Sequence, residues 1–167
     1  LTEAIWAEGL PAAIKWPNDV LVEGKKVAGS LVECAARGDR VEYVILGVGV
    51  NVNVGHAALR TALGEAAHAA TSLREAAGRA IDRNSFTVAF LALLDRWFRI
   101  YTQRGPDAVL APWRDRDIVT GRRVQIREDG EAYEGRALGV NREGRLVVEE
   151  WRGVPRQVIA GEVRLLE

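Results

Sequence analysis

The sequence predicts an α+β protein, with a mixed or antiparallel sheet and helices over residues 1–114 and a small β-barrel over residues 117–167. Three observations lead there. Up to Val54, valine and isoleucine recur with period two in runs separated by glycine-bearing turns, the alternation of strands. Between Asn84 and Gly105 the apolar residues instead fall at helical spacing. From Arg122 onward, short alternating runs are cut by glycine turns, about five strands in about 50 residues, which suggests a barrel that closes its own edges.

Taken in order, Thr2 to Leu10 reads as the end of a helix, with Leu1, Ile5 and Trp6 apolar and Gly9 as its stop. Ala12 to Trp16 reads as a strand, Pro17-Asn18 as a turn, and Asp19 to Glu23 as a second strand closed by a hairpin at Glu23-Gly24-Lys25. Val27 to Ala35 and Arg40 to Val54 are expected to pair antiparallel through Arg37-Gly38-Asp39, completing a meander of four strands. His56 to Gly78 is alanine-rich and predicts loop with short helices, Thr71-Ser72 capping the turn at Leu73. Asn84 or Ser85 should cap a helix whose face of Phe86, Phe90, Leu93, Leu94, Trp97, Phe98 and Tyr101 is expected to be core, ending near Gly105.

Pro112-Trp113 and the charged run Arg114 to Asp117 read as a linker. Beyond it, strands are expected at Val124 to Arg127, Ala132 to Val140, Leu146 to Glu150, Gln157 to Ile159 and Val163 to Leu165. Asp129-Gly130, Glu143-Gly144 and Arg152-Gly153 supply the turns.

Composition narrows the function classes. Basic and acidic residues balance at 23 each, so no overall field attracts nucleic acid or an anionic membrane. The barrel segment is balanced as well, with nine arginines against ten acidic residues from Asp117 to Glu167. No apolar run approaches the roughly 18 residues that span a bilayer, and no signal peptide opens the chain, so a cytoplasmic location is expected. Cys34 is the single cysteine, and His56 and His68 are the only histidines, which argues against an internal disulfide or a zinc site. Methionine is absent even at residue 1, so the chain is expected to begin within a helix of a longer reading frame.

Chemistry concentrates in residues 15–53. The three lysines among 23 basic residues, Lys15, Lys25 and Lys26, all fall there, where a compact point charge is wanted instead of an arginine fork. Lys15 ends a strand and can stabilise negative charge on a carboxylate or phosphate. Most lysines are simply solvated. Pro17 pushes Trp16 into an extended conformation, making a rigid corner, and Trp16 itself reads as core or pocket wall. Asn18 and Asp19 are either turn formers or ligands of Mg²⁺ or ribose hydroxyls. Gly47-Val48-Gly49-Val50-Asn51 lacks the third glycine of a dinucleotide fingerprint; its alternate glycines leave room on one strand face for a flat ligand or a close backbone.

In order and spacing, Lys15-Trp16-Pro17-Asn18-Asp19, Lys26-Val27-Ala28-Gly29-Ser30-Leu31-Val32-Glu33 and Gly47-Val48-Gly49-Val50-Asn51-Val52-Asn53 resemble the biotin protein ligase family. Thr71-Ser72-Leu73 and Asp82-Arg83-Asn84 resemble its central domain, and residues from about 117 its C-terminal barrel. The resemblance implies a sheet and helices of the class II synthetase and biotin ligase type, then a Src-homology-3-like barrel. It implies ATP-dependent activation of biotin to biotinyl-5′-AMP and transfer to a lysine of the biotin carboxyl carrier protein, an acetyl-CoA carboxylase subunit. ATP and Mg²⁺ are the implied cofactors, with biotin as substrate and a homodimer left open.

Lys15 matches the family's essential lysine, at the biotin carboxylate and the phosphate. The resemblance puts Lys26, Gly29 and Ser30 beside the biotin head, Gly49 and Asn51 near the adenylate, and Trp16, Asn18 and Asp19 at the site, Asp19 as a metal ligand. Ser30 stands where the family has a larger apolar residue. The family's glycine- and arginine-rich loop and any winged-helix domain are not found in residues 1–167, so these residues alone are expected to show little ligase activity. The competing readings are a lipoate ligase or octanoyltransferase, against which the Trp-Pro-Asn-Asp run argues, and a non-catalytic binding module.

Overall fold

The computed structural model describes residues 1–128, 130–150 and 153–166, and by packing the chain divides into two compact units. The first comprises Leu1–Ala12 and Asn18–Phe90, the second Ala13–Pro17 and Leu91–Glu167. Asp129, Trp151, Arg152 and Glu167 lie outside the described residues, and with them half of the expected Asp129-Gly130 and Arg152-Gly153 turns.

In the first unit, helix α1 (Thr2–Ala7) buries Ala4 and Ile5. The strand that starts at Ala12, β1 (Ala12–Lys15), leaves this unit after its first residue, Ala13–Lys15 belonging to the second, and stops one residue short of the expected Trp16. Strands β2 (Asp19–Val22), β3 (Lys25–Arg37) and β4 (Arg40–Val50) lie in sequence order in one antiparallel sheet. Glu23 and Gly24 form the two-residue turn between β2 and β3, both at positive φ (51° and 76°). That pairing of signs suits the right-handed twist of a tight hairpin, and glycine carries it without strain. The predicted turn is therefore found, with Val22 opposite Lys25. Beyond it, a bulge between Val20 and Leu21 shifts the register from Leu21↔Lys26 to Val20↔Ala28 and Asp19↔Gly29.

The rest of this unit is helical: α2 (His56–Leu63), a 3₁₀ turn (Gly64–Ala69), α3 (Leu73–Ala77) and the start of α4 (Arg83–Arg104). Ser72 caps α3 as expected, its Oγ accepting from the Glu75 N–H at 3.1 Å. At α4 the cap is Asp82 rather than Asn84 or Ser85, its Oδ1 accepting from the Ser85 N–H at 2.6 Å. The reason is geometric: an N-cap precedes the first helical residue and reaches the amide three residues on.

The second unit carries the remainder of α4, then α5 (Asp107–Arg114), β5 (Arg123–Glu128), β6 (Glu131–Val140), β7 (Leu146–Glu150), β8 (Pro155–Val158) and β9 (Glu162–Leu165). The strands form one antiparallel, barrel-like sheet in the order β8-β7-β6-β5-β9. Inward residues alternate as strands require: Val124, Ile126, Ala137, Leu146, Val148, Val158 and Val163 are buried in one cluster. Gly135 has a packing reason, because a Cβ there would lie 2.6 Å from both the Glu149 carbonyl oxygen and Val148 Cγ1.

Three further expectations are corrected. Pro112 and Trp113 lie inside α5, and Trp113 packs on the barrel-like core, so this stretch is no linker. On α4, Phe86 is buried and Phe90, Leu93 and Trp97 are partly buried, but Phe98 is 64% exposed, and Leu94 and Tyr101 are also exposed. The apolar arc of this helix is wider than the surface covering it. The strand expected to end at Ile159 ends at Val158, and Ile159 is exposed. No helix among the described residues is long and apolar enough to cross a membrane.

Candidate functional site

The first unit assembles its chemistry around a gap in the side-chain layer of β3. Asp19 on β2 faces Gly29 across the pair, and Gly29 in turn faces Gly49 on β4. Two neighbouring strand positions thus carry no side chain. At Gly49 an added Cβ would meet only the Gly29 carbonyl oxygen at 3.9 Å, and at Gly47 only that of Leu31 at 3.6 Å. The backbone there is a bare floor, as the alternate glycines predicted.

Lys26 lies along the edge of that floor. Its Nζ is 2.5 Å from Asp19 Oδ1, with the lysine side chain 49% and the carboxylate 18% exposed. The ammonium reaches the carboxylate by crossing the space over Gly29, where a Cβ would stand 3.2 Å from Lys26 Cε and 3.3 Å from Nζ. Lys26, Gly29 and Asp19 therefore make one device: a cation held by a carboxylate over a residue that must be small. The bulge between Val20 and Leu21 is what brings Asp19 level with Gly29, because an unshifted two-residue hairpin would place it against Ala28.

The supporting amides are committed. Asn18 Nδ2 donates to the Ser30 carbonyl at 2.6 Å and the Ser30 N–H donates to the Asn18 carbonyl at 3.1 Å, closing the corner before β2 onto β3. Asn51 stands where β4 leaves the sheet. Its N–H donates to Val27 O at 2.9 Å, its carbonyl accepts from Leu73 N at 2.8 Å, and its Nδ2 donates to Thr71 O at 3.0 Å. It pins the helical segment to the strand that carries Lys26, through partners far from it in the sequence.

Lys15 and Trp16 group with the second unit. Trp16 is 3% exposed, part of the barrel-like core, and its indole N–H donates to the Gly144 carbonyl at 3.0 Å. Of the two roles open to it in the sequence, core or wall, the structure gives it the core of that unit. The Trp16-Pro17 peptide is cis.

Asp19 is the carboxylate that the resemblance assigns to Mg²⁺, an ion commonly held by one or two carboxylates together with substrate phosphates. One of its oxygens is spent on the Lys26 ammonium, and no group of three or more His, Cys, Asp or Glu that could hold a metal ion occurs among the described residues. Elsewhere the titratable feature of note is Tyr133, whose phenol burial pushes upward in pKa. The Arg156 guanidinium, 4.3 Å over its ring, opposes that shift and also pairs with Glu128 at 3.2 Å. It is a structural knot in the barrel-like sheet.

Two family models match the chain. The Biotin/lipoate A/B protein ligase family matches residues 3–51, and the Biotin protein ligase C terminal domain matches residues 119–166. A bifunctional ligase/repressor BirA of Bacillus subtilis is 34% identical over 159 residues, covering 95% of this chain and 48% of the relative. The biotin--[acetyl-CoA-carboxylase] ligase of Paracoccus denitrificans is 33% identical over 152 residues, covering 90% of this chain and 62% of the relative. The chain thus spans about half the length of the first of these curated relatives. Among solved structures, the apo biotin protein ligase of Aquifex aeolicus shares the fold, with a TM-score of 0.82, 23% identity, and coverage of 99% of this chain and 70% of that one.

Proposed function

This chain belongs to the biotin protein ligase family, and from that premise we propose that it supplies part of an enzyme that joins biotin to a carrier-protein lysine at the expense of ATP. The observation that carries the reading is the bare strand face at Gly47 and Gly49, bordered by the Lys26–Asp19 pair that closes over Gly29, all within residues 3–51. A floor without side chains accepts a flat bicyclic head, and an ammonium at its edge accepts an anion.

In the proposed reaction a biotin carboxylate oxygen attacks the α-phosphorus of ATP and pyrophosphate leaves. The carrier lysine then attacks the acyl carbon of biotinyl-5′-AMP, and AMP leaves with the bonding pair. The first step brings two anions together, so its barrier falls where a fixed cation offsets their repulsion. Two lysines are candidates for that cation. Lys15 is the one the family resemblance selects, and Lys26 is the one whose ammonium the fold visibly holds in place. Asn18 and Ser30 brace the corner, Gly29 makes room for the Lys26–Asp19 pair, Gly47 and Gly49 leave the floor bare, and Asn51 fixes the strand end where the nucleotide is proposed to lie.

The test is pyrophosphate release dependent on both biotin and ATP, measured on the protein at its full natural length with lipoate as the control acid. Turnover with biotin that falls by about 10²-fold or more in Lys15→Ala or Lys26→Ala supports the reading and says which lysine acts. Turnover with lipoate and none with biotin would overturn the substrate assignment, and no pyrophosphate with either acid would leave a binding module as the better account.

A further inference from the structure

We propose that the barrel-like sheet is the element that positions Lys15, acting through its two chain neighbours Ile14 and Trp16; this rests on the reading that Lys15 serves the ligase reaction. The sequence distance is large, since more than a hundred residues separate Trp16 from Gly144, yet both belong to one compact unit. Trp16 is the one contribution of the chain before residue 119 to the buried cluster of that unit, among Val119, Val124, Val148 and Val158. Its indole N–H donates to Gly144 O at 3.0 Å. The turn that offers this carbonyl is itself braced: Asn141 Oδ1 accepts from the N–H groups of Glu143 (3.1 Å) and Arg145 (2.9 Å).

On the other side of Lys15, Ile14 is bonded in both directions to the approach to the barrel-like sheet. The Ile14 N–H donates to Arg116 O at 2.8 Å and the Ile118 N–H donates to Ile14 O at 3.0 Å. The Asp117 carboxylate accepts from the N–H groups of Val119 and Thr120, both at 3.0 Å, stiffening that segment. Lys15 is thus suspended between a residue locked by backbone bonds and a residue locked in a core. Misplacing a reacting group by about 1 Å can cost about 10²-fold in rate, so an element that fixes both flanks of a lysine bears on catalysis without touching the ligand. Trp16 and Gly144 are positioning residues in this sense.

The experiment has two arms. In the first, amide exchange is followed at Ile14 and Ile118, with Asn51 and Leu73 as reporters of the other unit, in the chain carrying Leu146→Ala, or Leu146→Val should the first not fold. Exchange at Ile14 and Ile118 is expected to rise together by at least about tenfold while Asn51 and Leu73 hold. Ile14 moving with Asn51 and Leu73 instead would overturn the proposal. In the second, Trp16→Phe keeps a ring in the core and removes the N–H; at the protein's full natural length it is expected to lower kcat for biotin-dependent pyrophosphate release roughly tenfold, with the biotin KM within about twofold. An unchanged kcat overturns the positioning role. Unchanged turnover in Lys15→Ala, with the exchange pattern as expected, would instead sink the reading of Lys15 and leave the tether standing.

Discussion

The β3–β4 hairpin and the barrel-like sheet are composed alike, from alternating valine, isoleucine and leucine, and they meet water in opposite ways. In the barrel-like sheet the central inward residues disappear: Val124, Ile126, Leu146 and Val148 are each 0% exposed. Along the outer half of the hairpin, Val32 on β3 is 59% exposed and Val44 on β4 is 60% exposed, and Leu31, Tyr43 and Ile45 on the opposite face are exposed as well. Period two establishes a strand and says nothing about which face is covered, because cover comes from whatever packs on it.

The sharpest way to break this contrast is to truncate one apolar residue in each sheet. Leu146→Ala should cost about 2–5 kcal/mol of the second unit's stability, since it opens a cavity in a closed core. Val44→Ala should stay within about 0.5 kcal/mol, because the side chain already meets water. Urea unfolding followed with reporters in each unit measures both, and comparable losses would mean the hairpin is covered in solution.

A smaller effect sharpens the contrast inside the first unit, whose inner part is pinned by polar groups. Ser72 is fully buried and caps α3, so Ser72→Ala should cost about 1 kcal/mol in the same measurement. By contrast Lys26→Ala should change stability by no more than about 1 kcal/mol, the lysine of the pair being half exposed, while its effect on turnover is expected to be far larger. A stability loss from Lys26→Ala exceeding that of Ser72→Ala would turn the Lys26–Asp19 pair from a ligand device into a structural one.

How much of this was legible in advance follows from the range of each interaction. The Glu23-Gly24 hairpin, the Ser72 cap and the alternation from Arg122 onward are local, and local chemistry specifies them. The glycine spacing at 47 and 49 likewise predicted the bare floor. The Lys26–Asp19 pair depends on a bulge that no turn rule announces, and Trp16 in the barrel-like core depends on a hydrogen bond to Gly144 that chain order hides. Phe98 is exposed for the same reason as the hairpin: periodicity marks the apolar arc and carries no information on how much of it is covered.

The last and smallest expected effect is a pH dependence at the start of α4. The Asp82 carboxylate is held below its ordinary pKa, first by the Ser85 backbone N–H and then by the Ser85 hydroxyl, both of which favour the charged acceptor. Because the folded value is the lower one, the cap's contribution is complete above the unfolded carboxylate range of about pH 4 and fades as pH falls through the folded value. Asp82→Ala should therefore lower the Tm at neutral pH, and the gap between variant and parent should close on acidification. Asp82→Asn keeps an oxygen that can cap without a charge, so it should lie between the two at neutral pH and show no such closing of its own. A gap that widens toward acid pH would mean that the carboxylate is protonated more readily in the fold than out of it, and the Ser85 amide could not then be its partner.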